Sequence, residues 1–206
     1  MKTANRFNLS DEYWEKLSPK SRELFQIIRP IVSPTYAVDQ KLSGVEGMLS
    51  RFSADLESVG GRLELEPDFQ RGHVWTDEQR SAYMESFIRG RAPKRILFNC
   101  PGWVSTRSAN SGDIADSHMQ CIDGLQRLTA MRMFMRDEVE VFGGLTATLL
   151  ADTPFSPKRI LNMFSIAIYE INNRHDLLQF YLDLNSGGTV HTQAELERVR
   201  KLMKPT

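Results

Sequence analysis

Apolar side chains at Val45, Met48, Leu49, Phe52, Leu56 and Val59 recur at intervals of three and four, the spacing that lines one face of a helix. The pattern predicts an amphipathic helix over 45–59, closed by Gly60-Gly61. Arg62-Leu63-Glu64-Leu65-Glu66 then alternates with the two-residue period of a strand, and Pro67 stops it. Asp68 to Trp75 reads as a loop. Thr76-Asp77-Glu78-Gln79 is a capping box, so a helix is expected from 77 to Arg89 with Gly90 as its stop. Lys94–Cys100 is a candidate strand, and residues 101–117, rich in Gly, Ser, Asn and Asp, a surface loop. A strand over Met119–Ile122 runs into Asp123-Gly124, and a helix-forming run from Leu125 to Arg136 begins at once. Glu138–Leu150 suggests two short strands about Gly143-Gly144, and Met163–Ile171 a further strand. Asn173 or Asp176 caps a helix through Leu184. Thr192-Gln193-Ala194-Glu195 is a second capping box, opening a terminal helix to Met203. Strands and helices alternate without strict regularity, which predicts a mixed α/β or α+β fold.

The first 44 residues read as a helical extension ahead of a main domain over 45–206. Ser10 can cap a short helix through Leu17, and Ser21–Arg29 forms a second between Pro19 and Pro30. Tyr13, Trp14, Leu24, Phe25, Ile27 and Ile28 must cover something: the main domain, or a protein partner or second copy of the chain.

Composition narrows the function classes. Twenty-six basic and 26 acidic side chains cancel over 206 residues, so no global field steers the chain toward DNA or a membrane. Nucleic-acid contact would need a local basic face, for which Arg80, Arg89, Arg91, Lys94 and Arg95 are the candidates, against the plainer reading of a solvated helix face. Cys100 and Cys121 both lie in apolar runs and read as buried free thiols of a reducing compartment. There is no run of about 18 apolar residues and no apolar signal-peptide core, so a cytoplasmic protein without membrane contact is expected.

Three polar groupings interrupt this packing pattern. In the first, the Gly124 turn between strand and helix lets backbone N–H groups converge on an anion at the helix start. Arg127, in the first turn, adds a charge-assisted grip on phosphate, and Gln126 lies beside it. Asp123 can bind a metal, accept a ribose hydroxyl or cap the helix, and capping alone contributes about 0.5–2 kcal/mol. Thr129 either points its hydroxyl into the site or packs on the helix, with packing favoured. The second grouping is Phe69-Gln70-Arg71-Gly72-His73-Val74-Trp75, where Arg71 offers a loop cation. Trp75 is read as a hydrophobic staple ahead of a base-stacking platform, and His73 as an exposed loop residue ahead of a general base. No spacing here matches a metal site. The third, Asn185-Ser186-Gly187-Gly188-Thr189, is either a connector or a turn presenting the Asn185 amide to a ligand.

In order, Pro67-x-Phe69-Gln70-Arg71-x-x-x-Trp75, Ile122-Asp123-Gly124-x-Gln126-Arg127-Leu128-Thr129 and Leu184-Asn185-Ser186-Gly187-Gly188-Thr189 with Glu195-Leu196 beyond resemble the N-terminal domain of GmrSD-type, modification-dependent restriction enzymes. That family belongs to the ParB/sulfiredoxin-like superfamily, and the resemblance covers roughly residues 45–203. It implies a small α+β domain with a mixed sheet and surrounding helices, binding a nucleoside triphosphate with Mg²⁺ and, in several members, hydrolysing it. Asp123, Gly124, Gln126 and Arg127 would form the phosphate site, with Asp123 holding the metal and Gln126 orienting it or water. Gln70 and Arg71 would line the opposite wall, and Asn185 would close the pocket. The family pattern has Gln where this chain has Leu125, which bears on hydrolysis more than on binding. Restriction members add a C-terminal HNH nuclease domain that nothing here matches, so DNA cleavage by this chain alone is not expected. Such a form suits a bacterial virus or mobile element. The leading expectation is a nucleotide-binding domain, one that only binds or one that is a slow triphosphatase, tied to DNA restriction or its regulation. A ParB-like DNA-binding or protein-interaction module is the alternative, and phosphoryl transfer to an acceptor other than water the third.

Overall fold

Five strands form one mixed sheet in the order β1-β5-β3-β4-β2. They are β1 (Tyr36–Lys41), β2 (Arg62–Glu64), β3 (Arg95–Asn99), β4 (His118–Asp123) and β5 (Met163–Tyr169). The chain is described from a computed structural model over residues 9, 11–70, 72, 74–104, 112–159, 162–185 and 193–203. Seven helices are described: α1 (Asp11–Lys16), α2 (Pro19–Ile28), α3 (Val45–Ser58), α4 (Asp77–Ile88), α5 (Leu125–Met135), α6 (Arg174–Asn185) and α7 (Gln193–Leu202). The fold is mixed α+β, as the interspersed pattern predicts.

The chain divides into two compact units, 34–172 and 1–33 with 173–206. The first holds the whole sheet. β5 pairs parallel with β3 and antiparallel with β1, while β4 pairs antiparallel with β3 and parallel with β2. β3 and β5 are nearly continuous apolar runs because both lie inside the sheet. Phe98, Met119, Cys121, Phe164, Ile166 and Ile168 from the strands share one core with Met48 and Leu49 of α3, Met84 and Phe87 of α4, and Leu128, Met131 and Phe134 of α5. Each fully buried side chain of this size contributes about 1.5–3 kcal/mol, so this core fixes where α5 begins relative to β4. Cys100 and Cys121 are buried and free, as expected.

Most predicted ends hold within a residue or two. Thr76 accepts from the Gln79 amide at 3.3 Å and Gln79 reaches back at 3.0 Å, completing the capping box of α4. The Asn173 side chain accepts from the Asp176 amide at 3.2 Å, which selects Asn173 as the cap of α6. Three differences have physical causes. Val59 follows the helical period yet is 69% exposed, because α3 ends at Ser58 and the chain turns through Gly60 and Gly61. Tyr36–Lys41 is a strand although its pattern is weak; as the sheet's edge it buries only alternate residues in part. Glu138–Leu150 holds one Val141–Leu145 bridge about Gly143-Gly144 in place of two strands.

In the second unit, Arg22 donates to the carbonyls of Trp14 and Glu15 at 3.1 and 2.6 Å, tying α2 to α1. Arg29 pairs with Asp183 of α6 at 3.3 Å. α2 starts at Pro19 rather than Ser21, with Ser18 as its cap, and leaves Leu24, Ile27 and Ile28 exposed. Ser10, the expected cap of α1, and Thr192, that of α7, lie outside the described residues. No described helix is long and apolar enough to cross a membrane.

Candidate functional site

β4 delivers the chain to the corner through an irregular register. Phe98 faces Cys121 but Leu97 faces Asp123, so Ile122 is an extra residue on β4. A bulge of this kind re-aims the strand end just ahead of the turn. Gly124 follows in the left-handed region, φ 96°, and a Cβ there would stand 2.7 Å from the Ile96 side chain. Both the backbone angle and the lack of space require glycine. Lacking a side chain, Gly124 provides no side-chain cap for α5, so the first-turn amides are left to solvent or a ligand.

Arg127 reaches back from the first turn of α5 and donates through Nη2 to Asp123 Oδ2. The Arg127 side chain is largely covered, 17% exposed, whereas that of Asp123 is 40% exposed. This bond uses one of the five donors of the fork. Two buried groups feel the same cation. Burial holds the Tyr83 hydroxyl well above its ordinary pKa, with Arg127 pulling against it, and the hydroxyl donates to the Pro93 carbonyl at 3.0 Å. Burial, reinforced by Asp123, likewise raises the Cys121 thiol, which removes it as a thiolate nucleophile beside the corner.

Gln70, Gly72, Val74 and Trp75 of the second grouping are tied to this corner by two glutamines. Gln70 donates from Nε2 to the carbonyls of Cys121 and Ile122 at 3.1 and 2.7 Å, on the stretch of β4 beyond its last pairing with β2. From the other side, Gln126 Oε1 accepts from the Val74 and Trp75 amides at 3.1 and 3.2 Å, and Gln126 Nε2 donates to the Gly72 carbonyl at 2.8 Å. Gln126 therefore holds protein backbone, where the sequence reading gave it water or metal to orient. Trp75 packs on Tyr83, ring centroids 5.4 Å apart, in keeping with the packing reading.

The other expected residues divide. Thr129 is half-buried on α5. Arg71 and His73 lie outside the described residues, as do Ser186–Thr189 of the third grouping. Asn185 ends α6 in the other compact unit, where its amide donates to the Tyr181 carbonyl at 2.7 Å. Leu125 is 4% exposed in the core, so the side chain that departs from the family pattern faces inward, away from the solvent side of the corner. Among the described residues no group of three or more His, Cys, Asp or Glu side chains gathers to hold a metal.

One polar cluster escaped sequence reasoning. The β2–β4 register sets Arg62 beside His118 and Glu64 beside Gln120, and Glu64 Oε2 lies 2.9 Å from His118 Nε2 and 2.8 Å from Gln120 Nε2. The signal was present: His118 and Gln120 alternate with apolar Met119 and Cys121.

Residues 56–157 match the family model described as GmrSD restriction endonuclease, N-terminal domain. The matched segment contains β2, α4, β3, β4 and α5, hence both the corner and the residues strapped to it, and over this segment the chain carries that family's N-terminal domain. No curated protein and no solved structure matches the chain.

Proposed function

We propose that the chain binds a nucleoside triphosphate at the β4–α5 corner and serves a DNA-restriction system through that binding. The observation that supports this most directly is the coincidence, at one corner, of an uncapped helix start at Gly124 with the Arg127 guanidinium. A helix start offers several backbone donors to an anion, and the fork adds a charge-assisted bond contributing about 1.5–3 kcal/mol. Asp123 orients the fork and, with its carboxylate part-exposed, suits Mg²⁺, which takes one or two carboxylates and completes its shell with phosphate and water. The metal would supply neutralisation of polyphosphate charge. Hydrolysis, where it occurs, is slow, because the Gln126 amide is spent on backbone bonds.

Thermal unfolding with ATP, GTP, CTP and UTP, with and without Mg²⁺, tests the reading. A bound nucleotide at a hundredfold excess over its dissociation constant stabilises the native state by about 2.7 kcal/mol, and Arg127→Ala removes that gain. No response to any of the four, or an equal response in Arg127→Ala, would overturn the assignment.

A further inference from the structure

The Gln126 side chain makes three hydrogen bonds, all to backbone groups of one distant segment: it accepts from Val74 and Trp75 and donates to Gly72. Its neighbour in sequence is Arg127, and both lie in the first turn of α5. From these facts we propose that Gln126 is a positioning residue, a clasp that fixes the backbone of Gly72, Val74 and Trp75 against the phosphate corner, so that occupancy of the corner and the hold on these three residues are coupled through one helical turn.

The residue type follows from the bonds. The position needs an acceptor for two amides and a donor for one carbonyl on an arm long enough to cross from helix to loop. Glutamine carries both. Glutamate keeps the acceptor and loses the donor, and asparagine is one methylene short. Gln70 bonds β4 independently, so loss of Gln126 frees Gly72, Val74 and Trp75 without releasing Gln70. Trp75 anchors the far side on Tyr83, directly before the capping box of α4, so the clasp spans from the β4–α5 corner to the start of the next helix. Coupling of this kind is reciprocal: a ligand that tightens the corner tightens the segment by the same factor, and loosening the segment weakens the ligand.

The ligand half of this inference rests on the triphosphate reading; the clasp itself does not, and the experiment separates them. Amide hydrogen exchange at Val74 and Trp75 is measured by NMR in the free wild-type chain, in Gln126→Leu and in Gln126→Glu. In Gln126→Leu the two amides exchange at least about tenfold faster, while amides within β4 and α5 stay protected. In Gln126→Glu, where a carboxylate still accepts from both, their protection stays within about threefold of wild type. Unchanged exchange in Gln126→Leu overturns the clasp, as does deprotection by Gln126→Glu as complete as that by Gln126→Leu.

The same variants are then titrated with ATP, GTP, CTP and UTP in Mg²⁺. For whichever binds the wild type, Gln126→Leu raises Kd about tenfold, and KM moves more than kcat. A water-orienting role gives the reverse, a fall in kcat at constant Kd, and sinks the positioning role. Should no triphosphate bind the wild type, the proposed function fails while the exchange result still decides the clasp.

Discussion

Positive charge is deployed in two ways around the sheet. Along α4 and the turn after it, three cations are spent on the protein itself: Arg80 bonds Asp77 at 2.6 Å, and Arg89 bonds Glu85 at 3.2 Å while lying 4.5 Å over the Phe142 ring. Lys94 lies 4.4 Å over the Phe87 ring, and burial lowers its pKa. At the β4–α5 corner Arg127 is also paired, to Asp123, yet it stands beside a helix start that no side chain caps. Counting cations would rank α4 above the corner. What separates them is whether donors of the backbone and of the side chain converge on one point.

The largest effect should come from breaking that convergence. Gly124→Ala forces a left-handed angle on a residue with a Cβ and drives that Cβ toward Ile96. Left-handed strain costs about 1–2 kcal/mol and overpacking about 1–3, so urea melts should show a loss of about 2–5 kcal/mol. A loss below about 1 kcal/mol would mean that the corner relaxes freely and does not set the geometry.

Next in size is the charge itself. Arg127→Ala should weaken triphosphate binding by about 10- to 150-fold, the equivalent of 1.5–3 kcal/mol, measured by titration calorimetry. Arg89→Ala, on the committed α4 set, should change it by less than about twofold. Equal losses in the two variants would erase the contrast between the regions.

Much of this corner was readable from residues alone, because it is local. An apolar strand, a glycine and a helix-forming run follow one another, and the periods change at Asp123-Gly124. The capping box at Thr76–Gln79 and the period of α3 were legible for the same reason. Side-chain amides that grip remote backbone leave no such trace. Nothing in Gln70 or Gln126 announces that they bond Ile122 and Gly72. Gln126 was accordingly assigned to water or metal, the roles nearest in sequence to Arg127. β1 was missed for a different reason: an edge strand has only one neighbour and a half-buried face, so Tyr36–Lys41 shows little alternation.

A third set of cations gives a smaller test with a defined pH sign. Arg132 and Arg136 of α5 and its C-terminal end both bond Glu46 of α3, at 2.9 and 2.7 Å. Burial raises the Glu46 pKa, but the two guanidinium groups together outweigh it and leave it lowered. A folded-state pKa below the unfolded one stabilises the protein above the ordinary carboxylate value, and that contribution disappears as pH falls through the lowered one. With all three side chains part-exposed, the network contributes about 1 kcal/mol or less. Glu46→Gln should therefore be slightly less stable than wild type at pH 7, with the difference closing as the pH drops below the ordinary value of 4.5. A gap that persists into acid would assign the loss to packing.

The smallest expected effect concerns DNA. If Arg80 and Arg89 are spent as their contacts indicate, Arg80→Ala with Arg89→Ala should alter retention of duplex DNA in gel-shift assays by less than about twofold at low salt. Each phosphate contact adds close to one unit to the slope of log affinity against log salt, so a real basic face declares itself in that slope even when overall affinity is modest. A slope that falls by about two units in the double variant would show that Arg80 gives up Asp77, and Arg89 gives up Glu85 and Phe142, for phosphate. The two regions would then differ in the phosphate ligand they take, duplex backbone or free nucleotide, rather than in whether they take one.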